Sequence, residues 1–192
     1  MYRNPHKLLL AAWLLLLGTP LHGQDRFLLG TFHSPRGVGI TAFFVSENAA
    51  ETDILTLRTD FYGLLAGRTR DVGACISYTH DYRLLQWDGP DYRVQLHAGA
   101  GGFGGYVHDF EEGYFSATER SLEHPAGWAV ALAGNIALRT DFCNRLTLDV
   151  GFSAAPGVHL RIDRATGTLL ASFFRNGTYH SFYPQVNLMY RF

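Results

Sequence analysis

Apolar residues recur at every second position through most of the chain after residue 36. A period of two is typical of β-strands that present one apolar and one polar face. Turn residues such as glycine, proline, asparagine and aspartate separate the alternating stretches. The pattern predicts eight strands, which cover residues 37–46, 52–64, 72–84, 92–103, 127–139, 146–163, 168–175 and 178–192.

The stretch from Leu146 to Ile162 keeps one phase although Pro156 lies inside it. Proline removes a hydrogen bond from a strand ladder, so two interpretations stay open. We favour one long strand with a bulge, and the alternative is a hairpin that breaks at Ala155-Pro156-Gly157. If that hairpin exists and Phe27–His33 adds a strand, the count becomes ten.

A hairpin is also predicted near the end of the chain. The stretches 168–175 and 178–192 are joined through Asn176-Gly177, a dipeptide that favours a type I′ turn.

The amino-terminal segment has the organisation of a secretory signal. Arg3 and Lys7 precede an apolar run over residues 8–17, and small residues follow it. The run is too short for a spanning helix, which needs about 20 apolar residues. We therefore predict a signal peptide over residues 1–23 and a barrel domain over residues 24–192.

Composition narrows the class of protein further. Apolar residues make up 47% of the chain, which excludes intrinsic disorder, and charged residues make up 17%. An average soluble domain has about 25% charged residues. A formal net charge of -1 gives no reason to expect nucleic acid as a partner.

Charged and small residues share the second face of the strands. With no helix to cover an open sheet, eight strands must pack as two sheets or close into a barrel, whose narrow interior is filled by side chains. Charged residues on this second face could form ion pairs inside such a barrel. The predicted interior polar core consists of Arg58, Asp60, Arg93, His97, Arg139, Asp149, His159, Arg161 and Asp163.

The final stretch has an alternating apolar pattern that ends in aromatic residues. Val186, Leu188, Tyr190 and Phe192 alternate with Asn187, Met189 and Arg191, and phenylalanine comes last. This pattern resembles the assembly signal of bacterial outer-membrane β-barrels. The resemblance implies recognition by the barrel assembly machinery and contact with outer-membrane lipid.

The mature chain as a whole resembles small outer-membrane barrels of the Bacteroidetes type, and the step from Gly23 to Gln24 is similar to their signal cleavage site. The resemblance implies an all-β, transmembrane, antiparallel up-and-down barrel of eight strands in the outer membrane. It implies no activity. We expect a monomer without a cofactor, of structural, adhesive or ligand-binding type, with an interior too narrow for a diffusion pore.

Candidate chemistry is sparse. The histidines lack metal-ligand spacing, so no metal site is expected. Cys75 and Cys143 are expected at opposite rims and therefore as free thiols. The glycine-rich run over residues 99–105 lacks the helix and lysine of a phosphate loop. The long connection over residues 104–126 is acidic and is the natural place for a binding function.

Two other classes of function stay open. A lipid-modifying enzyme would need a nucleophile beside a histidine, for which Ser77 with His80, or His180 with Ser181, are the candidates. We expect no catalytic activity, because neither pair has a convincing third group. The other alternative is a secreted, soluble β-sandwich that acts as a binding module.

Overall fold

The computed structural model describes residues 26–35, 37–59, 73–107, 127–142, 145–162, 166–173 and 182–192. The predicted signal peptide and its cleavage site lie outside these residues. Within them, no helix is long and apolar enough to cross a membrane. The strands are β1 (Arg26–Ser34), β2 (Gly37–Val45), β3 (Glu51–Thr59), β4 (Ala74–Asp88), β5 (Tyr92–Val107), β6 (Gly127–Phe142), β7 (Leu146–Ala154), β8 (Gly157–Ile162), β9 (Leu169–Phe173) and β10 (Phe182–Arg191).

Eight of these strands close into an antiparallel barrel. Each of β1 to β7 pairs with its neighbour along the chain, β7 pairs with β10, and β10 returns to β1. The predicted eight-stranded barrel is therefore confirmed, and a β-sandwich is excluded. When paired residues are followed from strand to strand once around the barrel, the path returns to β1 about ten residues from its starting point. This stagger in register tilts the strands relative to the barrel axis.

The strand that contains Pro156 runs straight through the proline. β6 pairs Gly134 with Ala154 and Ala131 with Gly157, so no residue is inserted and the register does not change. The backbone N–H of Leu132 still donates to the Pro156 carbonyl at 3.0 Å. Proline removes only the return bond, because it has no N–H. One continuous strand is right, but the bulge that we expected within it is wrong.

The two stretches joined through Asn176-Gly177 do not pair with each other as expected for a hairpin, and the dipeptide itself lies outside the described residues. β9 is antiparallel to β8, and β10 is antiparallel to β7. β7 and β8 form one continuous strand, so β9 and β10 run beside it in the same direction, one after the other. Together β9 and β10 therefore take the position of one strand in the barrel. The eighth strand of the closed barrel is instead β1, which the sequence left optional.

A bulge in β4 explains why that strand extends beyond its predicted end at residue 84. The pairing with β5 shifts between Arg83 and Leu85, so Leu84 is an extra residue. An inserted residue reverses which face the following side chains occupy. The apolar period therefore breaks at Arg83 while the hydrogen-bonded strand continues to Asp88.

The two ends of the barrel differ in their connections. The start of β1, the end of β10 and the short turns after β2, β4 and β6 lie at one end, which we call the turn end. The two-residue turn between β1 and β2 and the longer connections over residues 60–73, 108–126 and 163–168 leave from the other end, which we call the loop end. β8 and β9 extend the wall at the loop end.

Candidate functional site: the barrel interior

Polar, aromatic and some aliphatic side chains face the interior of the barrel. Of the predicted polar core, the structure places Arg58, His97, Arg139, Asp149 and His159 in the buried interior. Asp60 and Asp163 lie outside the described residues, as does the side chain of Arg161. Arg93 does not lie in the buried core as predicted, because its side chain is 40% exposed and binds Asp88 at 2.7 Å near the turn end. It belongs to the rim, because it lies next to the turn that follows β4.

Arg139 is the centre of a buried ion-pair network in the half of the barrel nearer the turn end. Its Nε lies 3.3 Å from Asp149 Oδ2, and its Nη1 donates to Thr52 Oγ1 at 3.0 Å. Asn187 Nδ2 donates to the other oxygen of Asp149 at 3.0 Å. The Phe43 ring lies 4.4 Å from the guanidinium carbon. These contacts join five strands, so the network braces the barrel from within.

Arg58, nearer the loop end, is held in a different way. Three aromatic rings surround its guanidinium, at 4.7 Å for Phe103, 5.1 Å for Tyr183 and 6.0 Å for Phe32. It also donates to the Tyr183 hydroxyl at 2.9 Å. Among the described residues no carboxylate forms an ion pair with it. Within the described residues, cation–π contacts and neutral hydrogen-bonding groups therefore surround the guanidinium in place of a carboxylate.

A chain of polar side chains closes the turn end. Arg83 Nη1 donates to Gln86 Oε1 at 2.7 Å, and Gln86 Nε2 donates to Asp88 at 2.7 Å. On the opposite wall, Arg191 Nη2 binds Asp141 Oδ1 at 2.9 Å. The β4 bulge makes the first group possible, because it moves Gln86 and Asp88 onto the inward face.

Glycine makes room for a second buried carboxylate. A Cβ atom at Gly99 would overlap Asp81 Oδ1 and the His80 carbonyl. Asp81 is buried and accepts from Asn135 Nδ2 at 2.8 Å. The glycine-rich run over residues 99–105 therefore lies within β5 and allows close packing, as expected for a strand and not for a phosphate loop.

Packing leaves little free volume between these groups. An internal cavity of about 30 Å³ is lined by Thr56, Ser77, Asn135, Ser153, Gln185 and Asn187. A space of this size has room for about two water molecules. Arg58 and Arg139 are buried in the interior, where both side chains lie in the path of a solute.

The candidate catalytic pair Ser77 and His80 is not brought together. The two residues are three apart on β4, so they face opposite sides of the barrel wall. Ser77 lines the internal cavity, whereas His80 faces outward and contacts Asp53. His180 and Ser181 lie outside the described residues.

Of the two cysteines, the structure describes Cys75. Cys75 is a buried thiol near the loop end of β4. Cys143 lies outside the described residues, so the expectation of two free thiols stays a prediction. No group of three or more metal-ligating side chains was found among the described residues.

The predicted assembly residues lie on β10. Val186, Leu188 and Tyr190 face outward, and Phe192 follows the strand and is 76% exposed. The Phe192 ring contacts Tyr190 at 5.3 Å and Phe27 at 6.0 Å between centroids. These residues form part of the outer surface at the turn end.

The fold is shared with a solved β-barrel domain. The N-terminal β-barrel domain of Pseudomonas aeruginosa OprF aligns over 89% of this chain and 100% of its own, with a TM-score of 0.50 and 10% identity. Ail, the attachment invasion locus protein of Yersinia pestis, aligns over 88% of this chain and 97% of its own, with a TM-score of 0.35 and 11% identity. The first likeness supports the fold. No family model and no curated protein matches the chain.

Sequence reasoning missed most of the neutral partners in the interior. Thr52, Asn135, Gln185 and Asn187 satisfy the buried charges or line the cavity. All four occupy the same inward phase as the predicted charges, so the period of two contained the signal. Asp53 was missed for another reason: it faces outward, where no carboxylate was expected.

Proposed function

We propose that this chain is an integral outer-membrane barrel with a plugged interior, of structural, adhesive or ligand-binding type. The observation that carries the proposal is the apolar outer face. Ile40, Leu57, Ile76, Val130, Leu132 and Leu188 are among the large apolar residues that lie exposed around the barrel. A soluble protein rarely exposes a continuous apolar surface of this extent.

Outward-facing aromatic residues form two belts that support this proposal. The belt at the turn end consists of Phe27, Phe44, Tyr82, Trp87, Tyr92, Phe142, Tyr190 and Phe192. Tyr106 and Trp128, in edge contact at 5.6 Å, lie at the loop end together with Phe182. On β6, Trp128 and Phe142 are about 30 Å apart along the barrel axis for a strand tilt of about 45°. This separation suits the apolar band of an outer-membrane barrel and its flanking girdles.

The lengths of the connections suggest how the barrel is oriented in the outer membrane. Outer-membrane barrels place short turns in the periplasm and longer loops outside the cell. In this orientation the acidic segment of residues 108–126 is extracellular, and the turn end faces the periplasm. We propose that any adhesive or ligand-binding activity belongs to the loop end, because side chains fill the interior.

We infer that the barrel acts as a monomer, without a cofactor, and that its partners are outer-membrane lipid and the barrel assembly machinery. We also infer that it is not a lipid-modifying enzyme. The separation of Ser77 from His80 across the barrel wall supports this inference.

Cell fractionation and gel mobility test the proposal. The protein should be recovered with outer membranes, and unheated samples should migrate faster in detergent gels than heated ones. An epitope inserted within residues 108–126 should be labelled on intact cells, whereas one inserted in the turn after β2 should not. Recovery as a soluble periplasmic protein would exclude the membrane assignment, and the reverse labelling would exclude the orientation.

A further inference from the structure

A hydrogen-bonded group of polar side chains faces outward near the turn end. Asp53 on β3 and His80 on β4 are direct cross-strand partners. His80 Nδ1 lies 2.8 Å from Asp53 Oδ1, and the Tyr78 hydroxyl donates to the same oxygen at 2.6 Å. We call Asp53, Tyr78 and His80 the Asp53 cluster. The side chains of His80 and Asp53 are 33% and 45% exposed, so the cluster is open to its surroundings.

The surrounding residues place the Asp53 cluster at the level of the turn-end aromatic belt. Asp53 is the register partner of Phe44 on β2, and Phe44 is the partner of Phe27 on β1. Tyr82, two residues after His80, packs edge-on against the His80 ring at 4.8 Å. Aromatic belts mark the depth of lipid headgroups, so the cluster meets headgroups as well as acyl chains.

The cluster leaves polar atoms available for a ligand. Oδ1 of Asp53 takes both internal hydrogen bonds, and Oδ2 has no bonding partner among the described residues. His80 Nε2 and the Tyr82 hydroxyl are likewise not engaged by described residues. Glu51, the preceding outward residue on β3, is exposed and adds a second negative charge. Asp53 and Glu51 carry two negative charges against at most one positive charge on His80, so the site is anionic and its complement is a cation that can donate hydrogen bonds.

A shallow trough on β5 borders the cluster. His80 is paired with Ala100, Tyr78 with Gly102 and Tyr82 with Ala98. All three β5 residues face outward, and none has a side chain larger than a methyl group. The bulkier outward residues Leu132 and Ile136 on β6 form the far side of the trough. An acyl chain can lie along this path while its headgroup contacts the cluster.

We propose that the Asp53 cluster binds the headgroup of a phospholipid that carries a primary ammonium, such as phosphatidylethanolamine. The ammonium binds Asp53 Oδ2 and Glu51, the phosphate accepts from the Tyr82 hydroxyl, and one acyl chain follows the trough. This inference rests on the proposed membrane insertion. The charge of the site selects against anionic lipids, and the hydrogen-bonding geometry selects against a quaternary ammonium.

Native mass spectrometry of the full protein purified from membranes tests the inference. The probes are phosphatidylethanolamine, its mono- and dimethylated forms, phosphatidylcholine and phosphatidylglycerol, all with identical acyl chains. We expect bound lipid to fall about tenfold from phosphatidylethanolamine to phosphatidylcholine, stepwise with each methyl group, and phosphatidylglycerol to bind least. Each methyl removes a donor, and tenfold corresponds to about 1.4 kcal/mol. Equal binding along the series, or a preference for phosphatidylglycerol, would overturn the inference.

A matched pair of variants locates the site. Asp53→Asn should abolish the preference for the primary ammonium. Asp88→Asn, which removes another exposed carboxylate near the turn end, should leave the preference unchanged. Unaltered selectivity in Asp53→Asn would overturn the assignment to this cluster.

Insertion is scored separately by the faster migration of unheated protein. An inserted barrel without lipid preference contradicts only this inference, whereas a protein that is never inserted contradicts the proposed function. If Asp53→Asn is not inserted, the methylation series on the unaltered protein still decides the headgroup chemistry.

Discussion

The two faces of a single strand occupy opposite environments in this barrel. On β7, Thr147, Asp149 and Ser153 are buried inside, whereas Val150 and Phe152 are exposed outside. A soluble β-protein places its polar residues outward and its apolar residues inward. The same alternation is used here with the faces exchanged, so the face on which a residue lies decides whether a charge stabilises or destabilises the protein.

The largest effect is expected inside, at the Arg139 network. Asp149→Leu leaves Arg139 buried without its counter-ion and removes the acceptor of Asn187. Breaking a buried pair costs about 3–5 kcal/mol, so the free energy of unfolding should fall by that amount. The measurement is urea unfolding in lipid vesicles, followed by tryptophan fluorescence.

Asp88→Leu is the matched control for this variant. Asp88 is paired with Arg93, but both side chains are largely exposed, and exposed pairs contribute about 0–1 kcal/mol. Similar losses in the two variants would show that Asp149 and Arg139 are not shielded from water.

A smaller effect is expected on the outer face. Ile136 lies between the two aromatic belts on β6, and Leu146 lies at the turn end of β7. In a bilayer, Ile136→Arg should cost about 2–4 kcal/mol and Leu146→Arg about 0–1 kcal/mol. The residues are 47% and 46% exposed, so exposure alone predicts no difference between them. Equal stability of the two variants in vesicles would argue against a lipid-facing band.

Arg58 and Arg139 allow two buried arginines of the interior to be compared. Arg58→Met leaves no described carboxylate without its counter-ion, and methionine is compatible with the surrounding aromatic rings. The loss should be about 1.5–3 kcal/mol, the range for a hydrogen bond to a charged group, because methionine keeps contacts with the rings. Arg139→Met should be clearly more destabilising in the same unfolding experiment. The opposite order would mean that Arg58 has a counter-ion outside the described residues.

The smallest effect on stability is expected at Phe192. Phe192→Ala removes ring contacts with Tyr190 and Phe27 at an exposed position, so the refolded protein should lose no more than about 1 kcal/mol. If β10 is recognised during assembly, the amount inserted in cells should nevertheless fall severalfold. Phe27→Ala removes the same girdle contact without altering the predicted assembly signal and should insert normally. Equal insertion of both variants would refute the recognition role.

Strand periodicity alone was enough to place most of the outer and inner faces. From Leu146 to Ile162 the apolar phase passes Pro156 unchanged, and the structure keeps one register through the proline. Alternation is a local property of the chain, because successive side chains must point to opposite sides of a strand. The sequence was therefore sufficient to predict that Arg58, Arg139 and Asp149 share a face.

Pairing between strands was decided only by the tertiary structure. The Asn176-Gly177 dipeptide favours a hairpin locally, yet β9 and β10 follow one another along β8 and β7. The β4 bulge moves Gln86 and Asp88 inward because β5 continues to pair beyond it. Asp53 and His80 meet only through the register of β3 with β4. Closure and register depend on hydrogen bonds between distant segments, so the sequence determined which way each side chain points, and the closed barrel determined which side chains meet.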